Sequence, residues 1–262
     1  MALNIRTLIQ ECLPVVLEAG QLVRQDWASL HAAAHKGRTD LVTRTDAAVE
    51  RFLKQKLAAM APEAAFLGEE SSAGSMSALS QPLCWVVDPV DGTTNYVHHI
   101  PLVGISVALC ANGEPVLGIV NAPMLDEVFY AGRGAGAFLN GEPVNVSATL
   151  KLTDALVATG FPYEFGDNLG RILARLERVL PATQGLRRPG AASLDLAWVA
   201  CGRLDAFFEE ELKPWDMAAG WLLVTEAGGK ASAFNGDAAG WGLPLLVSNG
   251  RIHDAMVKLV RD

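Results

Sequence analysis

The stretch Cys84-Trp85-Val86-Val87-Asp88-Pro89-Val90-Asp91-Gly92-Thr93-Thr94-Asn95-Tyr96 decides how the rest of the chain reads. An apolar, β-branched run that stops at an acid predicts a buried strand delivering Asp88 to the rim of a sheet. Pro89 fixes φ and lacks an N–H, so the chain is expected to leave the sheet there, and Asp91-Gly92 then permits a tight turn with exposed amides. Thr93, Thr94 and Asn95 are all good N-cap residues, so a short helix is expected to start among them. Two carboxylates on a rigid bend, with the Val90 carbonyl between them, are hard oxygen ligands that suit Mg²⁺ better than Zn²⁺. The free amides of Gly92, Thr93 and Thr94 suit a phosphate. A capped turn after a strand would account for Asp-Gly alone; ligands, rigid bend and anion nest together make a far more specific string.

At 262 residues, half of them apolar, the chain can bury a full core without disulfides or a structural metal. One domain spanning 1–262 is expected, with approximate halves 1–150 and 151–262. A net charge of −8 opposes non-specific binding to nucleic acid or to anionic membrane, so a phosphate substrate has to be drawn in by bound metal. Cys12, Cys84, Cys110 and Cys201 are widely spaced in apolar runs with no Cys-x-x-Cys pair, and read as buried thiols in a reducing cytoplasm. The N-terminal segment runs into an amphipathic pattern with Glu11 and Glu18, so no signal peptide is expected, and no segment reaches the length of a membrane span.

Apolar spacing predicts a long helix from Ile5 to about Trp27, then the polar stretch His35 to Asp40, then a helix capped by Thr45 and Asp46 that stops before Pro62. Ala65-Phe66-Leu67 predicts a short strand leading into Gly68-Glu69-Glu70, and Ser71 to Pro82 a mobile surface loop. Gly104–Cys110, Val116–Val120 and Glu127–Ala131 predict an antiparallel meander, and Ala137–Leu139 with Pro143–Val146 a further hairpin about Asn140-Gly141. Gly132, Gly134 and Gly136 fail to complete a nucleotide-binding Gly-x-Gly-x-x-Gly and read as hairpin glycines. The second half alternates: strand at Leu156–Thr159, helix at Leu169–Leu180 bounded by Pro181, helix at Ala191–Cys201, strand at Ala206–Phe208, helix at Trp215–Ala227, strand at Leu245–Val247, helix at Ile252–Val260. Such alternation implies α/β layering.

The string Asp88-Pro-Val-Asp-Gly-Thr-Thr-Asn-Tyr96 resembles the Asp-Pro-x-Asp-Gly-Thr-x-Asn-Phe signature of the inositol monophosphatase family, Mg²⁺-dependent and lithium-sensitive phosphatases; Tyr96 replaces the usual Phe. A second signature, Trp-Asp-x-Ala-Ala-Gly, stands intact at Trp215–Gly220. The resemblance runs from the Asp40–Asp46 segment to Thr225–Gly229. It implies an α/β (α+β) protein, a layered α-β-α-β-α sandwich of the inositol monophosphatase and fructose-1,6-bisphosphatase type. It also implies a cytoplasmic homodimer with two to three Mg²⁺ per site.

On that pattern one Mg²⁺ is held by Glu69, Asp88 and the Val90 carbonyl, and a second by Asp88, Asp91 and Asp216. Asp46 matches a peripheral acid, whose alternative role is helix capping. Thr93 is the partner of the attacking water, with Glu69 and metal acidifying that water. His98 and His99 are set aside as surface or packing residues. Gly190 and Ala192 match positions lining a polyol, and Glu209 a carboxylate accepting hydrogen bonds from its ring. Glu210 and Glu211 read as solvated neighbours, and Arg187 and Arg188 as serving either an interface or a second phosphate. The expected reaction is hydrolysis of a small polyol or sugar phosphate monoester, myo-inositol monophosphate first. Fructose-1,6-bisphosphatase, 3′(2′),5′-bisphosphate nucleotidase, histidinol phosphatase and a protein-binding role in a transcription complex are the alternatives.

Overall fold

The structure, a computed structural model, describes residues 4–28, 34–35, 41–72, 76–163 and 165–261. Within the polar stretch expected at His35 to Asp40, residues 36–40 lie outside the described residues, as do 73–75 of the loop expected before Pro82. The first half opens with helix α1 (Ile5–Trp27), a two-residue pair β1 (Ala34–His35) and β2 (Leu41–Val42), and helix α2 (Arg44–Met60). Next come β3 (Ala65–Gly68), β4 (Leu83–Asp91) and the short helix α3 (Thr93–Val97). The meander is β5 (Gly104–Ala111), β6 (Glu114–Ala122), β7 (Glu127–Gly132), β8 (Gly136–Leu139) and β9 (Glu142–Val144). Strands β3 to β9 pair in chain order into a seven-stranded sheet, parallel only between β3 and β4. Asn140 and Gly141 both take positive φ, as the β8–β9 turn demands.

The second half gives β10 (Leu156–Thr159), α4 (Leu169–Ala182), β11 (Gly185–Arg187), α5 (Ala192–Ala200), β12 (Ala206–Glu209), α6 (Pro214–Glu226), β13 (Lys230–Ser232), β14 (Leu245–Ser248) and α7 (His253–Val260). Its five-stranded sheet has the order β11-β10-β12-β14-β13.

Three cores follow from the two-residue alternation of the strands. Trp85, Val87, Ile105 and Val107 bury one face of the larger sheet against Val16 and Val23 of α1 and Leu53 and Leu57 of α2. Val86, Ala108, Val120 and Phe129 bury the other face against α5 and α6, which also carry Ala158, Phe207 and Val247 of the second sheet. Val157, Ala206, Phe208 and Leu246 then turn outward to Val179 of α4 and Met256 of α7. The layers read α-β-α-β-α, as expected. The small residues of Ala218-Ala219-Gly220 serve that stacking: a Cβ on Gly118 of β6 would lie 2.8 Å from the Ala219 carbonyl oxygen.

Several boundaries differ from the sequence expectations. Strand β4 does not end at Pro89 but continues to Asp91, with its pairing to β5 shifting register between Asp88 and Asp91, so the proline sits at an irregularity. Helix α2 is capped by Thr43 rather than Thr45, with Asp46 closing a capping box at the third helical position. Helix α4 passes through Pro181 and ends one residue later. The three-residue strands β11 and β13 were not foreseen, having too few residues to show a period.

Candidate active site

The sheet, the middle helices and the loops between them bring the acidic motif residues to the junction of the halves. Gly92 caps α3 in the left-handed region (φ +87), without a side-chain cap, so the helix begins at Thr93 and not among later residues. Asn95 then donates to the carbonyls of Leu102 at 2.8 Å and Pro189 at 2.9 Å, tying the motif to the loop before α5. The hydroxyl that distinguishes Tyr96 from Phe donates to the Val23 carbonyl of α1 at 3.0 Å.

Asp88, at the end of the buried run of β4, is 2% exposed, and its Oδ1 accepts the Val90 N–H at 3.0 Å. Burial, then the charges of Glu69, Asp91 and Asp216, push its carboxyl well above the usual carboxylate range. Glu69 stands in the turn after β3, its N–H bonded to the Val87 carbonyl at 3.1 Å. Glu50 of α2 steadies the same turn by accepting the Glu70 N–H at 2.8 Å.

Asp91 is buried, and its Oδ2 accepts both the backbone N–H of Ser193, at 2.7 Å, and the Ser193 hydroxyl. Burial raises its carboxyl to about 6 even against those bonds. Asp216 is half-buried at the third position of α6, where its Oδ2 accepts the Lys213 N–H at 2.7 Å; Ser106 Oγ holds the Trp215 carbonyl beside it at 2.9 Å. Burial, then Asp91 and Glu69, push the Asp216 carboxyl well up.

Thr93 Oγ1 lies within hydrogen-bond reach of Asp46 Oδ1, at 3.1 Å, and of the Val90 carbonyl, at 3.0 Å. Asp46 therefore does two things at once: one oxygen caps α2 through Thr43, and the other accepts the Thr93 hydroxyl. Burial raises its carboxyl, opposed by those hydrogen bonds.

On the far side, Gly190 takes φ +88 just before α5, and Ala192 is the first residue of that helix. Glu209 ends β12 with its carboxylate laid over Gly160, where an added Cβ would fall 2.0 Å from Glu209 Oε2. Burial lifts Glu209 to about 8, against the Arg188 guanidinium, which lowers it, and with Asp91 adding a smaller upward push. Glu210 corrects the expectation of a solvated neighbour: it is 6% exposed and pairs with Arg175 at 2.8 Å and Arg171 at 3.1 Å. Glu211, His98 and His99 are exposed, His99 standing edge-on to Trp27. Ser193 and Glu50 are the participants the sequence reading missed.

Glu69, Asp88, Asp91 and Asp216 thus lie close enough that their charges act on one another, although among the described residues no three acid, histidine or cysteine side chains are closed into a ready coordination sphere. Four mutually repelling carboxylates, the Val90 carbonyl nearby, and no sulfur or imidazole among them form a donor set that fits a hard divalent cation.

Residues 6–261 match the sequence profile of the inositol monophosphatase family. The chain belongs to that family. The inositol-1-monophosphatase of Rhizobium meliloti is 42% identical over 91% of this chain and 88% of its own length. A fructose-1,6-bisphosphatase/inositol-1-monophosphatase of Thermotoga maritima is 35% identical over 95% of this chain and 94% of that one. Among solved structures, the extragenic suppressor protein suhB of Bartonella henselae superposes with a TM-score of 0.91 at 34% identity, covering 98% of this chain and 99% of that chain. As a member of the inositol monophosphatase family, the chain is a phosphoric monoester hydrolase acting on sugar phosphates. No helix among the described residues is long and apolar enough to cross a membrane.

Proposed function

We propose that this enzyme is a Mg²⁺-dependent, lithium-sensitive phosphatase that hydrolyses the monoester of a polyol, with myo-inositol monophosphate the expected substrate. The observation that carries the reading is the convergence of Glu69 from the turn after β3, Asp88 and Asp91 from β4 and Asp216 from α6 beside the Thr93–Asp46 hydrogen bond. Glu69, Asp88, the Val90 carbonyl, Asp91 and Asp216 are the groups that would hold the metal, two to three ions per site. Bound there, Mg²⁺ supplies positive charge against the phosphoryl oxygens and Lewis acidity toward water.

The chain's own residues do the rest. Asp46 Oδ1 fixes the Thr93 hydroxyl as donor in that direction, which turns a lone pair of Thr93 Oγ1 toward a water and lets it accept that water's proton in a hydrogen bond. Glu69, held by its turn, takes the second proton contact. Amides of Gly92, Thr93 and Thr94 face the phosphoryl group. Gly190 and Ala192 leave room for the alcohol, and Glu209 accepts hydrogen bonds from its hydroxyls. The Arg188 guanidinium at this wall acts on two carboxyls, Glu209 and Asp195. With that guanidinium already facing two carboxyls, little positive charge is left over for a second phosphate, which favours a monophosphate over a bisphosphate.

The family resemblance supports a cytoplasmic homodimer and one domain whose two halves meet at the site. Phosphate release should be measured over inositol, fructose, nucleotide and histidinol phosphates, with Mg²⁺ and with chelator. Inositol monophosphate should lead the panel and chelator should stop turnover; a clear preference for another class, or undiminished turnover in chelator, would sink the reading.

A further inference from the structure

Helix α2 carries two buried carboxylates one turn apart, Asp46 and Glu50, and the reaction outlined above employs only the first. Four-residue spacing puts both on one face of the helix, and from that face both reach the site. Asp46 Oδ1 meets the Thr93 hydroxyl at 3.1 Å, and Glu50 Oε2 accepts the Glu70 N–H at 2.8 Å.

The second contact bears on Glu69, which lies between two peptide planes. The plane before it is held at both ends: the Glu69 N–H donates to the Val87 carbonyl at 3.1 Å, and the Gly68 carbonyl accepts the Ser72 N–H at 3.1 Å. The plane after it carries the Glu70 N–H, which Glu50 holds from across 20 residues of chain. A residue has only two soft backbone dihedrals, so fixing the planes on either side of Glu69 fixes the direction in which its side chain leaves. The Glu50 carboxylate is pressed against this turn: a Cβ on Gly68 would fall 2.3 Å from its Oε2 and 2.6 Å from its Cδ, and only the bare Cα at 68 lets it lie there.

We propose that Glu50 is a positioning residue for Glu69. Helix α2 then places both groups that face the attacking water, Thr93 through Asp46 and Glu69 through Glu50. This inference rests on the reading of Glu69 as a metal-holding partner of that water.

Three variants separate reach from charge and from packing. Glu50→Gln keeps the length and an acceptor, with a weaker, neutral bond; Glu50→Asp keeps the charge and withdraws the acceptor by one methylene; Glu50→Ala removes it. The first readout needs neither metal nor substrate. In chelator, the Glu70 amide should exchange its hydrogen at least about tenfold faster in the Ala and Asp variants than in wild type, and close to the wild-type rate in Gln, with β4 amides unchanged in all three. The second is kinetic, taken well below each melting temperature. The Ala and Asp variants should lose about ten- to a hundredfold in kcat, equally on inositol monophosphate and 4-nitrophenyl phosphate, and need about tenfold more Mg²⁺ for half-maximal rate, the range for groups that orient a metal ligand. KM for inositol monophosphate should stay within about twofold, and the Gln variant should lose less than about threefold in kcat.

Glutamine above aspartate is the order required in both readouts. The reverse order would assign the effect to charge, and equal values, intact or impaired, would assign it to packing; either overturns the proposal. So does a Glu70 amide that exchanges at the wild-type rate in the Asp variant. If the Ala variant does not fold, the comparison of Gln with Asp decides alone. Glu69→Gln is run in parallel: if it turns over like wild type, the reading of Glu69 fails; if it is inactive while Glu50→Asp keeps the wild-type kcat, only the inference about Glu50 fails.

Discussion

Replacing Asp91 by Asn should make the metal-free protein more stable at pH 7 and weaken its response to Mg²⁺. In the fold this carboxyl is 8% exposed and stands at about 6 against an ordinary 3.8, burial being the main cause. At pH 7 it is ionised both folded and unfolded, so that difference, at about 1.36 kcal/mol per pKa unit, is a standing cost of about 3 kcal/mol. Asparagine removes the cost and keeps an Oδ1 that can accept both Ser193 donors, so little is lost in exchange.

The sign with pH follows from the raised folded value. The contribution of Asp91 to stability is fully present below 3.8 and is lost as pH rises through about 6, so metal-free wild type should lose ground to the variant between pH 4 and 7. Added Mg²⁺ should narrow or reverse the gap, because it stabilises the tighter-binding protein more, by RT ln(1 + [Mg²⁺]/Kd). Thermal unfolding in chelator from pH 4.5 to 8, followed by Mg²⁺ titration at pH 7, reads both effects. A variant no more stable than wild type in chelator at pH 7 would refute the reasoning about repulsion; a variant with the wild-type response to Mg²⁺ would refute the ligand role.

On the proposed reading lithium should inhibit uncompetitively, as the family resemblance implies, because a small monovalent ion at a site that calls for a divalent one would hold the product complex together; full Mg²⁺ dependence with no response to lithium would count against the proposed lithium sensitivity. Above pH 8, where Glu209 is ionised, Glu209→Gln should cost a polyol phosphate about 1.5 to 3 kcal/mol in kcat/KM, the range for hydrogen bonds to a charged group, while an aryl phosphate is cleaved almost unchanged; equal losses on both would make Glu209 catalytic or structural. His253, buried between Ser248 and Ser232 at 2.8 and 2.9 Å, is lowered to about 4, chiefly by burial, so its contribution is complete above 6.5 and is lost as pH falls toward 4. Against His253→Gln, wild type should therefore lose up to about 3 kcal/mol of stability between pH 7 and 4, and parallel unfolding curves for the two proteins would count against the assignment.

The parts of the fold that the sequence announced are those with enough residues to show a period. Helix α1 was legible to its last residue because nine apolar positions repeat at helical spacing, and Pro14 does not break it. The five-strand meander was legible through its alternation and its Asn140-Gly141 turn. Strands of three residues, β11 and β13, carry no period, and their pairing partners lie up to tens of residues away in the chain, so they exist only by tertiary contact. Both prolines misled because each interrupts less than it locally suggests: Pro89 stands at a register shift where the ladder is already broken, and Pro181 in the last turn of α4, where it forgoes a single i→i−4 bond in a helix that ends one residue later.

The candidate site divides in the same way, and the two glutamates after β12 show where more could have been read. Every metal-ligand candidate except Glu69 and Asp216 lies within one string, where spacing speaks for itself. Glu209 and Glu210 are neighbours with no motif between them, and composition alone makes both look solvated. Alternation separates them. Phe207 packs inward with α5 and Phe208 outward with α4 and α7, so continuing the same period one step beyond the phenylalanines sends Glu209 to the middle layer and Glu210 to the outer one. The side chains obey it: Glu209 lies over Gly160 at the site, and Glu210 meets Arg175, which itself stacks on Phe234 and donates to the Val260 carbonyl at 2.6 Å. The second glutamate thus fastens α4 to α7, which is structural work at the opposite face of the sheet from the substrate. A carboxylate's role at the end of a strand is set by which layer its parity selects.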